Sequence, residues 1–482
     1  MQHSIRSPRD LAMIICILTT LVFSPMMAQT KNETSIAGSW QGTLEFGNTK
    51  LRIVFHVTES DSNRISGEMD SPDQGATGIP IRKVTVSGNS IVFDIASIGG
   101  LFEGILSDGK QSLEGNWKQN GVVLPLRLNK TTVSIVLKRP QEPKPPFPYR
   151  VEEVSFEKTK NSINLAGTLT LPAANERFPA VILITGSGPH DRDESVFGHK
   201  PFLLLADYLT RRGIAVLRID DRGVGGSTGN KMAATSADHA EDVIAEIEFL
   251  KRRRDIDPNK IGLIGHSEGG MIAPMAASQS KDVAFIVMLA GPGLPGEDIL
   301  KMQRRLIEEA DSIPSGKISQ DVDRMGKICS IVKSGADSVA IAGQIRSYLM
   351  STVSEWGADL VRSGVDSEKA IDSQINQFDG PWFRYFTRYD PRPALEKVRC
   401  PVLAMDGTLD LQVPPKEDLA AIDKALQTSG NMDVTIKLMP GLNHLFQDAK
   451  IGSPKEYAQI EETFSPAALK VLGDWIEEHT RR

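Results

Sequence analysis

The sequence has few cysteines, few aromatic residues and no excess of charge of one sign. Three of its 482 residues are cysteine, 6% are aromatic, and 55 basic residues stand against 61 acidic ones. This balance gives no reason to expect nucleic acid or an anionic membrane surface as a partner. The mature chain would keep only Cys329 and Cys400, which we expect to be two separate thiols. Neither metal-ligand spacing nor a phosphate loop occurs, so no cofactor is expected.

Only one long hydrophobic run is present, and it lies at the N-terminus. "LAMIICILTTLVF" follows a start with two arginines, and the small residue Ala28 comes shortly after it. The pattern is typical of a secretory signal peptide, predicted at 1–28, and the run is too short for a comfortable membrane span. An uncleaved membrane anchor is the alternative. We expect a secreted or periplasmic protein that is not inserted in a membrane after signal cleavage.

A proline-rich stretch divides the rest of the chain. Residues 138–150, "KRPQEPKPPFPYR", have five prolines between Pro140 and Pro148, which predicts a semi-rigid linker. Before it, in 29–137, eight short alternating runs predict a small antiparallel barrel or sandwich. The run that begins at Gly38-Ser39-Trp40 resembles the Gly-x-Trp start of lipocalin-like barrels. This all-β domain has no cluster of catalytic residue types, so a binding, dimerising or structural role stays open.

Beyond the linker, in 151–482, a predicted hairpin is followed by apolar strand-like runs that alternate with helical stretches. Solidly apolar strands in such an alternation predict a mostly parallel sheet with helices on both faces. The alternation is interrupted by about a hundred residues that are rich in helix formers. We interpret this insertion, about 295–396, as a helical cap over a functional site.

Two serines fit the pattern Gly-x-Ser-x-Gly, and their contexts differ. Ser227 lies in "DDRGVGGSTGN", a loop-like stretch that predicts a structural turn. Ser267 lies between the strand-like "KIGLIG" and the helix-like "EGGMIAPMAAS". A strand-to-helix elbow exposes the serine hydroxyl at a helix N-terminus, and small flanking residues permit the tight turn. We therefore predict Ser267 as the nucleophile.

A nucleophilic serine needs a base and an acid that orients it. Of the eight histidines, His444 in "MPGLNHLF" follows the last strand, in a loop at the right edge of the sheet. His266 adjoins Ser267 but is expected on the wrong side of the turn. "CPVLAMDGTLDLQVPP" offers Asp406 and Asp410 as the acid; Asp410 lies beyond a glycine turn and can reach back toward the histidine. The predicted order is Ser267, Asp410, His444, as in α/β-hydrolases.

Six stretches together make the C-terminal region resemble the α/β-hydrolase superfamily, in particular secreted bacterial serine esterases related to the prolyl-oligopeptidase clan. These are "ITGSGPHDRDE", "RIDDRGVGGS", "GHSEGG", "GPWFRYFTRYDP", "DGTLDLQVPP" and "GLNHLF". The resemblance implies an α/β-hydrolase fold and esterase chemistry under a helical cap. The upstream region is too short for the propeller of a prolyl oligopeptidase, which argues against peptidase activity.

The expected chemistry is acyl transfer through an acyl-enzyme, and it needs an oxyanion hole and a substrate pocket. The backbone amides of Glu268 and of Ser187 or Gly188 are the predicted oxyanion donors. In "GPWFRYFTRYDP" the candidates for a pocket wall are Trp382, Phe383 and Tyr385, with packing between cap and sheet as the alternative.

The predicted function is a carboxylesterase that cleaves small to medium acyl esters. The same Ser-Asp-His set also serves peptidases, aminopeptidases, acyltransferases and thioesterases, and a non-catalytic binding protein is the alternative outside enzymes. The expected partner is a small-molecule ester, with no nucleic acid, and a homo-oligomer stays open.

Overall fold

The computed structural model describes residues 35–481 with the exception of 47–48, 61–63, 75, 120–121, 133–137, 159–161, 175, 336 and 357–366. The predicted signal peptide at 1–28 lies outside the described residues. Within them, no helix combines the length and the apolar character that crossing a bilayer requires. Cys329 and Cys400 are free thiols.

In the residues that the structure describes, the N-terminal domain is one antiparallel sheet of nine strands. They are β1 (Gly38–Phe46), β2 (Thr49–Glu59), β3 (Ile65–Ser71), β4 (Ala76–Pro80), β5 (Lys83–Ser87), β6 (Ser90–Ile95), β7 (Gly100–Leu106), β8 (Ser112–Gln119) and β9 (Val122–Thr131). The order β4-β3-β2-β1-β9-β8-β7-β6-β5 leaves β4 and β5 as the edges of a half-barrel. Eight of these strands correspond to predicted runs, whereas β4 was missed because its glycine and proline are typical of a loop.

Alternate side chains of these strands fill the inside of the half-barrel. The buried aromatic residues there are Trp40, Phe55, Phe93, Phe102 and Trp117. The rings of Phe55 and Phe93 lie 4.6 Å apart, centre to centre, and the indole N–H of Trp40 donates to the carbonyl of Ile36 at 2.8 Å. The interior of this domain is therefore a packed core in the part of the chain that the structure describes.

The C-terminal domain contains a second sheet, with eight strands among its described residues. They are β10 (Arg150–Lys158), β11 (Ile163–Leu171), β12 (Phe178–Ile184), β13 (Ala215–Ile219), β14 (Ile256–His266), β15 (Phe285–Leu289), β16 (Val402–Gly407) and β17 (Val434–Met439). The order is β10-β11-β13-β12-β14-β15-β16-β17. The predicted hairpin β10–β11 is antiparallel. The strands β12 to β17 pair with one another in parallel. Their carboxyl ends thus share one edge, where a site is expected.

Helices cover this sheet, as its apolar central strands require. They are α1 (Pro201–Arg211), α2 (Ser236–Lys251), α3 (Glu268–Ala277), α4 (Gly296–Ala310), α5 (Ser315–Lys333), α6 (Ser338–Ser351), α7 (Val353–Trp356), α8 (Ser367–Phe378), α9 (Pro381–Arg388), α10 (Arg392–Leu395), α11 (Pro415–Thr428) and α12 (Pro466–Arg481). Two separate hydrophobic clusters, each built from strand and helix residues, form the core of this domain.

Helices α4 to α9 form the cap, which has a small core of its own. The chain enters the cap through Gly293 and Leu294, and this entry is held by Asp418 of α11. The two amides donate to Oδ1 of Asp418 at 2.6 and 2.9 Å. The other carboxylate oxygen, Oδ2, is buried and has no partner among the residues described. Burial raises the pKa of Asp418 to about 7, although the two amide hydrogen bonds oppose the rise.

Replacing Asp418 with asparagine is expected to change how stability depends on pH. An unfolded aspartate titrates near pH ~3.9, so above that value the unfolded state loses a proton that the folded state keeps up to about pH 7. Stability should therefore fall as pH rises across this interval, by up to about 4 kcal/mol. The asparagine of the D418N variant stays neutral and still accepts both amides. The free energy of unfolding, measured with denaturant at pH 5 and pH 8, should favour D418N over the wild type more strongly at pH 8 than at pH 5.

A matched control for this comparison is Asp423→Asn in the same helix. Asp423 makes an exposed hydrogen bond with Gln427. The free energy of unfolding of D423N should therefore change between pH 5 and pH 8 by the same amount as that of the wild type. A D418N-minus-wild-type difference that is the same at pH 5 and pH 8 would contradict the prediction.

Candidate active site

Ser267 occupies a sharp turn between the end of β14 and the start of α3. Its backbone has φ 53° and ψ −120°, a left-handed conformation that is strained for a residue with a side chain. The turn needs close backbone approach on both sides: a Cβ atom on Gly265 would lie 1.9 Å from the carbonyl oxygen of Gly269, and one on Gly269 would lie 2.1 Å from that of Ile184. The two glycines are therefore required by packing, and they leave the serine at the N-terminus of α3.

His444 lies in the loop after β17 and Asp410 in the loop after β16. Both are buried, and the Nδ1–H of His444 donates to Oδ2 of Asp410 at 2.6 Å. Oδ1 of Asp410 accepts from the amides of Gln412 and Val413 at 2.7 and 2.9 Å. Because the carboxylate is fixed by these amides, it fixes the imidazole in turn and leaves Nε2 of His444 as the nitrogen available to a reaction.

Asp406, the alternative acid, has a different environment. It is 1% exposed, and its Oδ1 accepts from the Gly407 amide at 2.7 Å. Burial, together with the neighbouring carboxylate of Asp410, holds the pKa of Asp406 well above its usual value. This environment favours the neutral form of Asp406 at the end of β16, and Asp410 is the acid that contacts the histidine.

Ser267 and His444 both line one cavity of about 280 Å³ at the carboxyl edge of the sheet. The predicted oxyanion donors Glu268 and Ser187 line it as well, whereas Gly188 does not. The amide of the preceding residue, Gly186, donates to Oε1 of Glu194 at 2.7 Å, so it is engaged within the protein. Of the two predicted donors in the "GSGP" loop, Ser187 is thus the one that lines the cavity.

Of the three predicted pocket residues, only Trp382 lines this cavity, together with Phe386 one turn later on α9. The two rings stack with their centres 5.1 Å apart. Phe383 instead lies in the core of the cap, 5.1 Å from the ring of Phe378. Tyr385 stacks on Tyr389 and faces a separate groove. Phe383 and Tyr385 therefore lie away from the cavity of Ser267, because the residues of α9 point to different faces of the helix.

The side chain of Glu268 ties the cap to the elbow. Its Oε2 accepts from the indole N–H of Trp382 at 2.8 Å, and its Oε1 accepts from the hydroxyl of Ser236 at 2.5 Å. Glu268 is 2% exposed, so this carboxylate is buried with both oxygens paired, as a buried charge requires. Glu268 thus lines the cavity and also binds the cavity's aromatic wall through its side chain.

Several residues of the cavity wall were not predicted from the sequence: Glu194, Phe197, His266, Gln412 and Tyr457. Phe197 and Tyr457 are brought together by the linker residue Arg139. Its guanidinium donates to four backbone carbonyls outside the linker, those of Phe197, Gly198, Ala458 and Ile460. The linker is therefore fastened to the wall of the cavity. The β-domain turn Pro72–Gln74 also lies against the 3-10 helix Pro454–Gln459 that contains Tyr457.

The second Gly-x-Ser-x-Gly serine, Ser227, has its hydroxyl engaged by the backbone. Its Oγ donates to the carbonyl of Asp220 at 2.7 Å and accepts from the amide of Ala166 at 2.9 Å. It does not line the cavity of Ser267. This geometry agrees with the structural role predicted for it.

Comparison with known proteins places this architecture in a family. Residues 181–460 match the model of the alpha/beta hydrolase family. The esterase EstD of Thermotoga maritima is 26% identical over 313 residues, which are 64% of this chain and 65% of that protein, so the match spans just under two thirds of the relative. The uncharacterized peptidase YuxL of Bacillus subtilis is 30% identical over 137 residues, 27% of this chain and 20% of that one.

Among solved structures, an esterase of Pyrococcus furiosus is 15% identical with a TM-score of 0.42, covering 69% of this chain and 91% of that one. The family model covers more than half of the chain, and the predicted fold class is confirmed: an α/β-hydrolase fold preceded by an antiparallel β domain. The protein belongs to the alpha/beta hydrolase family and is related to esterases.

Proposed function

We propose that the protein is a serine carboxylesterase that cleaves small to medium acyl esters with Ser267, His444 and Asp410. The observation that carries this proposal is the buried 2.6 Å hydrogen bond between His444 and Asp410, at a cavity that Ser267 shares with His444. A histidine held by a carboxylate at Nδ1 is suited to take a proton at Nε2. A nucleophilic serine is typically exposed at a sharp turn between a strand and a helix. Ser267 lies at such a turn and lines the cavity.

The proposed reaction has two halves. In the first, His444 takes the proton of Ser267 as Oγ bonds to the ester carbonyl carbon, and the amides of Glu268 and Ser187 bind the oxyanion. The carbonyl re-forms, the C–O bond to the alcohol breaks, and His444 returns the proton to the leaving alcohol. In the second half His444 takes a proton from water as the water oxygen bonds to the acyl carbon. The bond from that carbon to Oγ breaks, His444 returns the proton to Ser267, and the acid is released.

The size and lining of the cavity support a small substrate. Its volume of about 280 Å³ lies just below the range of ligand pockets, which span about 300–1,000 Å³. The cap contributes an apolar side through Ile299, Leu300, Trp382 and Phe386, suited to an acyl chain. Most polar lining residues come from loops at the carboxyl edge of the sheet, and Gln303 of α4 adds one from the cap.

Labelling with a fluorophosphonate probe tests this proposal directly. The wild type should gain one covalent adduct, mapped to residue 267 by peptide mass spectrometry, and S267A should gain none. Ser227→Ala is the matched control, because it removes a serine of the same sequence pattern outside the cavity and should still be labelled at Ser267. An unlabelled wild type, or an adduct at Ser227, would refute the assignment of the nucleophile.

Labelling by itself does not separate an esterase from a peptidase. A p-nitrophenyl ester and the p-nitroanilide of the same acyl group differ only in the leaving group, and we expect a higher kcat/KM for the ester. A higher value for the anilide would favour the peptidase alternative.

A further inference from the structure

Glu194 and His266 make a buried contact that the proposed reaction does not use. Glu194 lies between β12 and α1 and His266 is the last residue of β14; they are 2% and 7% exposed. Nδ1 of His266 lies 3.0 Å from Oε1 of Glu194, and the same oxygen accepts from the Gly186 amide at 2.7 Å. One carboxylate oxygen thus joins the "GSGP" loop to the strand that ends at the elbow.

The other ring nitrogen of His266 reaches the loop of the proposed base. Nε2 of His266 lies 3.0 Å from the backbone carbonyl oxygen of His444. A carbonyl oxygen only accepts hydrogen bonds, so this contact needs a proton on Nε2. A carboxylate at Nδ1 needs a second proton there. The two contacts together require the imidazolium form of His266, or the equivalent proton on Glu194.

The charged surroundings of His266 favour the imidazolium. Burial works against the charge, but the carboxylate of Glu194 outweighs it and raises the pKa of His266 above its usual value. The carboxylate of Asp410 adds to the rise, and the ring of His444 lies with its centre 5.0 Å from that of His266. Both carboxylates therefore stabilise a positive charge at this place.

We propose that Glu194 and His266 are positioning residues, a buried ion pair that holds the loops of Ser187, Ser267 and His444 in register for the reaction. This inference rests on the proposed esterase function for its kinetic consequence. The carboxylate sets the "GSGP" loop through Gly186, next to the expected oxyanion amide. The imidazolium sets the backbone of His444 against the elbow, so that its side chain can reach Ser267.

Two unfavourable features at Glu194 support a functional role. Its φ of +50° is strained for a residue with a Cβ atom. Its second oxygen, Oε2, is buried without a partner in the part of the chain that the structure describes, and a buried polar atom without a hydrogen bond is destabilising. Both features lower the stability of the fold. A glutamate with both is expected where the site requires its charge and its position.

The first experiment determines the protons of His266 in the resting enzyme. ¹H–¹⁵N NMR of the protein with ¹⁵N-labelled histidine, assigned by the loss of signals in H266N, should show two protonated ring nitrogens on His266 at pH 7. Glu194→Gln keeps an oxygen for Gly186 but lacks the negative charge, so the second proton should be lost. A single ring proton in the wild type overturns the proposal. This measurement needs no turnover, so it is independent of the proposed function.

The second experiment measures the consequence for the reaction. E194Q is expected to lower kcat for a p-nitrophenyl ester by about ten- to a hundredfold with little change in KM, since one charge-assisted hydrogen bond is lost. Glu308→Gln in α4 is the control: Glu308 also has a buried unpaired oxygen and one arginine partner, Arg304, but lies outside the cavity wall, and E308Q should turn over like the wild type. Wild-type kcat in E194Q would overturn the positioning role.

Discussion

S267A is expected to lower kcat for ester hydrolysis by about 10⁴-fold or more, to the level that binding and the oxyanion amides alone sustain. Alanine keeps the Cβ atom, so the strained backbone at φ 53° is as costly as before and the turn should be preserved. Only the Oγ atom that would form the acyl-enzyme is removed. Initial rates on a p-nitrophenyl acyl ester, with burst-phase detection of the acyl-enzyme, measure both the loss of turnover and the loss of the intermediate.

The control for this experiment is Ser227→Ala. That variant loses hydrogen bonds to the backbone of Asp220 and Ala166 and is expected to lower stability modestly while keeping its kcat. If S267A kept its activity and S227A lost it with an unchanged melting temperature, Ser227 and not Ser267 would be the nucleophile. Retained activity in both variants would exclude serine chemistry at either pattern.

The fold and the central part of the site were accessible from the sequence because both depend on local patterns. Apolar strands that alternate with helical stretches predict a parallel sheet, and a parallel sheet brings the loops after β14, β16 and β17 to one edge. Gly265 and Gly269 could be interpreted as packing requirements because a tight elbow leaves no room for a Cβ atom, which the close approaches of 1.9 and 2.1 Å bear out.

The cavity wall was harder to predict, since it depends on helix phase and on contacts far apart in the chain. In "PWFRYFTR" the aromatic residues belong to one helix, where positions four apart share a face. Trp382 and Phe386 therefore face the cavity, while Phe383 enters the cap core. Composition reveals the aromatic cluster but not the face of each residue.

Glu194 and His266 show the same limit for polar groups. Their contact joins residues 72 positions apart in the sequence, and Glu194 stands in the run "HDRDE", whose other charges pair elsewhere, such as Arg192 with Asp220. His266 was expected on the wrong side of the elbow for catalysis. The structure gives it a partner on each ring nitrogen, which a reading of neighbours along the chain does not reveal.

Asp410→Asn and Asp406→Asn should separate the roles of two acids that lie four residues apart. In D410N the amide oxygen can stay with the amides of Gln412 and Val413, so the amide nitrogen faces His444. That N–H₂ group donates where the carboxylate accepted, which forces the proton of His444 onto Nε2, the nitrogen that must be free to act as base. We expect kcat to fall by about 10⁴-fold, as when an aspartate of a serine triad is made neutral, with little change in KM.

D406N is expected to keep a kcat close to the wild-type value, because the raised pKa of Asp406 favours the neutral acid, which asparagine resembles in charge and shape. Its side-chain oxygen can still accept from the Gly407 amide, and its N–H₂ can donate toward Asp410, with which Asp406 shares a hydrogen bond. Steady-state kinetics of the two variants on one ester, with melting temperatures to verify folding, form the test. Equal losses in both would mean that the two aspartates act as one acid, while a larger loss in D406N would transfer the orienting role from Asp410 to Asp406.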